Sequence, residues 1–149
     1  MSLESKVMEH LKDAMRAKDE VALRTLRAIK AAILVEKTAA GAKDALTEAE
    51  ELKLLTKMAK QRKDSLEIYT QQGRADLAAK EQEEIDVINK FLPAQLSEAE
   101  LEAELKAIIA QVGASSAADL GKVMGTANKA LAGKAEGKAI ADMVKKLLQ

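Results

Sequence analysis

The sequence predicts an all-α fold in two parts, and three observations carry that prediction. Apolar residues recur at helical rather than alternating spacing along most of the 149 residues. Two of the periodic segments open on a capping-box pattern, a Ser or Thr followed three residues later by Glu, at Thr47 and Ser97. Pro93, the single proline of the chain, falls between periodic segments at a point where a helix has to stop. The expected architecture is an N-terminal bundle of about four helices including one long helix, residues 1–92, followed by a small three-helix C-terminal domain, residues 93–149. The boundary is placed at residues 92–97.

Taken in order, Leu3, Val7, Leu11 and Ala14 share one face of a first helix, and Ala22, Leu26, Ile29 and Ile33 one face of a second. Two antiparallel helices are the natural reading. The segment 38–43, Thr-Ala-Ala-Gly-Ala-Lys, breaks the pattern. Thr47 and Glu50 then begin a long helix over Glu48 to Gln72 that ends at Gly73, about 37 Å at ~1.5 Å per residue. Its buried stripe is Leu52, Leu55, Ala59, Leu66 and Tyr69, while Leu54 and Ile68 are candidates either for an exposed apolar surface or for the core side of a wider buried stripe. A fourth helix from Ala75 to Phe91 turns Leu77, Ile85, Ile88 and Leu92 inward and pairs Asp86 with Lys90 on its surface. Beyond Pro93 come helices over 98–112, 117–131 and 136–148. No segment alternates as a strand.

Composition excludes several functions. Cysteine is absent, which removes disulfide frameworks, cysteine-rich zinc sites and thiol nucleophiles together. No metal or cofactor is expected: His10 is the lone histidine and reads as a surface residue, and the acids at helix starts read as solvated charge. The first residues carry charges throughout, and no run reaches the roughly 18 apolar residues of a membrane span, so a soluble, cytoplasmic protein without membrane contact is expected. Lys plus Arg equals Asp plus Glu at 24 each, so whole-chain charge names no partner. The charge is uneven, however, with six lysines against three acids from Asp119 to Gln149. Tyr69 and Phe91 are the only aromatic residues, too few for a base-stacking platform.

The feature that a plain helical bundle does not explain is the recurrence of Gly121, Gly125, Gly133 and Gly137 among helix formers, each roughly 1 kcal/mol worse than alanine in a helix interior. Gly121-Lys122 and Gly133-Lys134 resemble fragments of a phosphate loop, but neither has the preceding glycine or following Ser/Thr of that motif. On a helix over 117–131, Leu120, Val123, Met124, Ala127 and Leu131 form one side, leaving Lys122, Gly125, Thr126 and Lys129 on the other. That small, basic face admits a polyanion backbone closely, and Lys134 and Lys138 extend it. The plain alternative is that the lysines are solvated and the glycines allow tight helix packing. Ser115 and Ser116 read as loop and cap residues ahead of Asp119, not as nucleophiles.

The Leu-Pro-Ala-Gln-Leu-Ser boundary at 92–97, the stretch from Gly113 to Gly125, and Leu-Ala-Gly-Lys-Ala-Glu-Gly-Lys at 131–138 together resemble the YqeY-like family. So do Arg-Lys-Asp-Ser at 62–65 and Gly-Arg-Ala-Asp-Leu at 73–77. The resemblance covers essentially the whole chain. That family shares its domain with the C-terminal tail of the GatB subunit of tRNA-dependent amidotransferase. The resemblance implies a helical bundle plus a three-helix tail, and tRNA, or a protein partner in tRNA aminoacylation or amidation, as what the tail meets. The matching positions are Gly121, Lys122, Gly125, Gly133, Lys134, Gly137 and Lys138, with Lys129 added by the face argument. A carbon-nitrogen ligase label with glutamine as amido-N-donor comes with the shared domain. The catalytic cradle of the amidotransferase subunit has no counterpart here, so no catalytic residue is assigned and catalysis by the chain alone is not expected. A helical protein-interaction module without a nucleic-acid role is the alternative.

Overall fold

The structure, a computed structural model, describes residues 1–39 and 41–149. Ala40, within the expected 38–43 break, lies outside the described residues. Among the described residues the fold is all-helical: α1 (Leu3–Ala17), α2 (Glu20–Ala39), α3 (Glu48–Gln71), α4 (Ala75–Asn89), α5 (Glu98–Val112), a short 3-10 turn (Ala117–Asp119), α6 (Leu120–Ala130) and α7 (Gly137–Leu147). The chain divides into two compact units, Met1–Leu92 and Pro93–Gln149.

In the first unit, α1 and α2 form a helical hairpin, α3 and α4 form a second, and α2 packs against both α3 and α4. The first hairpin turns at Lys18, whose left-handed backbone (φ 55°) lets the Asp19 N–H return to the Ala14 carbonyl at 2.9 Å. Asp19 then caps α2 through its carboxylate, which accepts from the Ala22 N–H at 3.1 Å. Thr47 and Glu50 form the reciprocal capping box at the start of α3, with bonds of 3.2 and 2.8 Å. The core gathers Val7, Leu26, Ile29, Leu55 and Ile88, all nearly or fully sequestered from solvent.

The structure settles one open point of the sequence reading in the first unit and departs from it at three others. Leu54 is only 9% exposed and belongs to the core, because α3 faces both α2 and α4 and therefore needs a wider apolar stripe. Towards the C-terminal end of α3 the burial fades, and Leu66 and Tyr69 are only half-buried. Helix α4 ends at Asn89, before Phe91, as Lys90, Phe91 and Leu92 N–H groups tighten onto carbonyls three residues back. Asp86 accepts from Gln82 at 2.9 Å and forms no ion pair with Lys90.

The second unit is a three-helix arrangement in which α5, α6 and α7 all touch one another. Its core is Leu105, Val123, Ala127, Leu131, Ile140 and Val144. Ser97 and Glu100 cap α5 reciprocally at 3.2 Å each, and Gly113 ends it in the left-handed region at φ 71°. The expected 117–131 helix is divided: residues 117–119 form the 3-10 turn and the α-helix proper starts at Leu120.

Candidate functional site

The residues singled out by sequence fall on α6, the turn after it and the start of α7. Val123 and Ala127 are fully buried and fix the rotation of α6 on its neighbours. With 100° per residue, that rotation turns Gly121, Lys122, Gly125 and Lys129 outward, and all four are exposed. Lys122 and Lys129 are seven residues apart, which is about 10 Å along the helix axis at 1.5 Å per residue.

The packing alternative for these glycines does not hold. A Cβ placed on Gly121, Gly125 or Gly137 would meet no atom within 4 Å. Neither a neighbouring helix nor a strained backbone requires glycine there, since none of the three has positive φ. Gly125, in the interior of α6, therefore carries the helix-propensity penalty with no packing return, and Gly121 and Gly137, in the first turns of α6 and α7, have none either. Gly133 differs. Its φ of 76° places it in the left-handed region, where glycine is favoured, and its carbonyl accepts from the Gln95 amide at 2.6 Å. The next carbonyl, of Lys134, accepts from the Leu96 N–H at 2.9 Å. These two bonds from residues 95 and 96 pin the turn that presents the exposed Lys134 side chain.

Electrostatics distinguishes the lysines. Lys129 lies in the last turn of α6, where the carbonyl end of the helix favours a cation. Lys122 stands in the first turn, against the helix dipole, and its nearest compensation is Asp119. The Asp119 carboxyl is held below the usual carboxylate range, first by the N–H groups of Ser115 (2.9 Å) and Ser116 (3.4 Å) and lastly by the charge of Lys122. Asp119 therefore spends its hydrogen bonds on the loop. Among the described residues, Lys122, Lys129, Lys134 and Lys138 form no ion pair.

This surface presents exposed ammonium groups beside uncovered glycine backbone, and its residues do not bring nucleophile, base and oxyanion donor together. Among the described residues, no group of three or more His, Cys, Asp or Glu side chains could hold a metal ion. No helix among them is long and apolar enough to cross a membrane. One polar cluster that sequence reasoning missed joins α2, α3 and α4. Glu84 accepts from Arg24 Nε at 3.2 Å and lies 3.6 Å from Arg62 Nε, while Arg62 also donates to the Met58 carbonyl at 3.2 Å. Its partners are 22 to 60 residues apart, beyond any local spacing rule.

Comparison with known proteins gives a family. Residues 4–148 match the family model described as Yqey-like protein. Among similar curated proteins is "Altered inheritance of mitochondria protein 41, mitochondrial" of Lachancea thermotolerans, 36% identical over 109 residues, covering 71% of this chain and 57% of that protein. The protein of the same name from Clavispora lusitaniae is 40% identical over 91 residues (61% of this chain, 52% of that one). The one from Saccharomyces cerevisiae YJM789 is 39% identical over 82 residues (55% and 44%). The matches span about half the length of these relatives.

Proposed function

The chain belongs to the YqeY-like family, and on that premise we propose that it is a tRNA-binding or tRNA-amidotransferase-related accessory protein, acting through the Gly/Lys face of its C-terminal unit. The observation that carries this reading is the open space over Gly121 and Gly125, flanked by exposed Lys122 and Lys129. Glycine lets a phosphate backbone approach the helix, and lysines on either side hold it by charge, which positions the nucleic acid without reading bases. In this reading the chain holds tRNA and a separate component performs any amide-forming chemistry. The test is direct binding of tRNA to the full chain: Lys122→Glu with Lys129→Glu abolishes binding while the helical circular dichroism stays at the parent level. Unchanged affinity in the double variant removes this face from consideration.

A second reading rests on a different observation. On α2, Leu34 and Val35 are 63% and 65% exposed, side by side and apolar, as a docking helix would have them. A protein-interaction module is the alternative function, and a stoichiometric protein partner that survives nuclease treatment and is lost on Leu34→Glu favours it. We propose a cytoplasmic location. The relatives' printed names carry the word mitochondrial, so recovery with mitochondria on cell fractionation is the result that replaces it.

A further inference from the structure

The N-terminal unit holds a cavity of about 190 Å³ that the proposed function does not use. It lies between the second half of α1, the start of α2 and the end of α4. Its origin is legible in the side chains: Ala14, Ala17 and Ala22 line it with methyl groups, so the helices leave space that Leu or Ile would fill. Leu26 and Val87, both buried, supply an apolar floor. Phe91 forms a wall and is steadied edge-to-face by His10, with ring centroids 4.9 Å apart.

The mouth is charged. Asp13, Asp19 and Lys90 line the cavity and are exposed. One oxygen of Asp19 caps α2, which leaves the other for a ligand. Asp13 pairs with Arg16 at 3.5 Å, both well solvated, a weak pair that a ligand can displace. Lys90 forms no ion pair among the described residues. Helices α1 and α4 both end here, with C-caps at Lys18 and Lys90, and bring the negative ends of two helix dipoles to the place where α2 starts, the positive end of α2 being met by Asp19. The combination offers two carboxylates and helix carbonyl ends for a cation, one ammonium for an anion, and methyl groups between.

We propose that this cavity binds a small zwitterion with an apolar body, the chemical class of a free aliphatic α-amino acid. Asp13 and Asp19 take its ammonium, Lys90 its carboxylate, and the alanine-leucine-valine floor its side chain. A simple amine would leave Lys90 facing a like charge, and a simple carboxylate would face two. Size agrees: the space, about 190 Å³, is below the ~300 Å³ of drug-sized pockets and suits a ligand of amino-acid size.

The experiment is an amide NMR titration of the full chain with L-leucine, isopentylamine and 4-methylpentanoate. Leucine is expected to give saturable shifts confined to residues 10–26 and 87–91, with each singly charged analogue roughly tenfold weaker for want of one charged contact. Asp19→Asn, which keeps the capping oxygen, and Lys90→Met are each expected to weaken leucine by a similar factor with thermal unfolding unchanged. Ala22→Leu fills the space and abolishes the shifts; if that variant does not fold, the two exposed-site variants decide. No saturable shift, shifts centred elsewhere, leucine binding indifferent to Asp19→Asn and Lys90→Met, or isopentylamine binding as tightly as leucine each overturns the proposal.

Discussion

Gly125 and Gly133 are the same residue type eight positions apart with opposite physics. Gly125 sits in ordinary helical backbone with open space where a Cβ would go, so Gly125→Ala is expected to stabilise the second unit by about 0.5–1 kcal/mol. The same change is expected to weaken tRNA binding, since the methyl group stands where a backbone would approach. Gly133, at φ 76°, is expected to lose about 1–2 kcal/mol on substitution by Ala. Urea denaturation of both variants checks the two signs. Asp119 gives a pH prediction. Its folded pKa lies below the unfolded one, so its contribution is complete above the ordinary carboxylate range and is lost as pH falls through the folded value, below about pH 4. The Tm difference between parent and Asp119→Ala should therefore shrink from neutral pH to pH 3, and a constant difference contradicts the assignment. Sequence spacing showed that these glycines are unusual in helices. It could not separate packing from open surface, because that depends on which helix, if any, lies opposite.

At the scale of elements, caps and periodicity make most helices legible in the sequence: Thr47 with Glu50 and Ser97 with Glu100 form the expected reciprocal bonds. What helical periodicity misplaced or left open has two causes. The end of α4 and the 3-10 turn before α6 are set by local bonds to carbonyls three residues back and by the Asp119 carboxylate, whereas the burial of Leu54 on α3 is set by neighbours distant in sequence, which local patterns do not encode. The Arg24–Glu84–Arg62 cluster is of the same kind and ties three helices together. Glu84 is 13% and Arg62 18% exposed, so Glu84→Gln leaves the Arg62 guanidinium without its carboxylate, while Arg24 keeps Glu83 at 3.6 Å. A loss of about 2 kcal/mol is expected, below the ~3–5 kcal/mol of fully buried pairs because Arg24 stays partly solvated. Chemical denaturation checks it, and a change under a few tenths of a kcal/mol would mean that the cluster is solvated and idle.

For the whole molecule, two separate cores imply two separable stabilities. Leu105 is completely buried in the second core, and Leu105→Ala is expected to lose about 2–5 kcal/mol, enough to unfold a unit of this size. NMR should then show the amides of residues 93–149 collapsing to unfolded positions while Val7 and Ile29 keep native shifts. A single cooperative loss of both sets contradicts separable stabilities. The two proposals follow the same division, the polyanion face lying in the second unit and the small-ligand cavity in the first. The measurement that reaches the central claim most directly is binding of tRNA to the full chain over a salt series, parent against Lys122→Glu with Lys129→Glu. The account predicts saturable parent binding that weakens linearly in log-log form with salt, its slope shrinking by about one unit per phosphate contact removed, and no binding by the variant. Parent binding absent at low salt, or equal in both proteins, contradicts it.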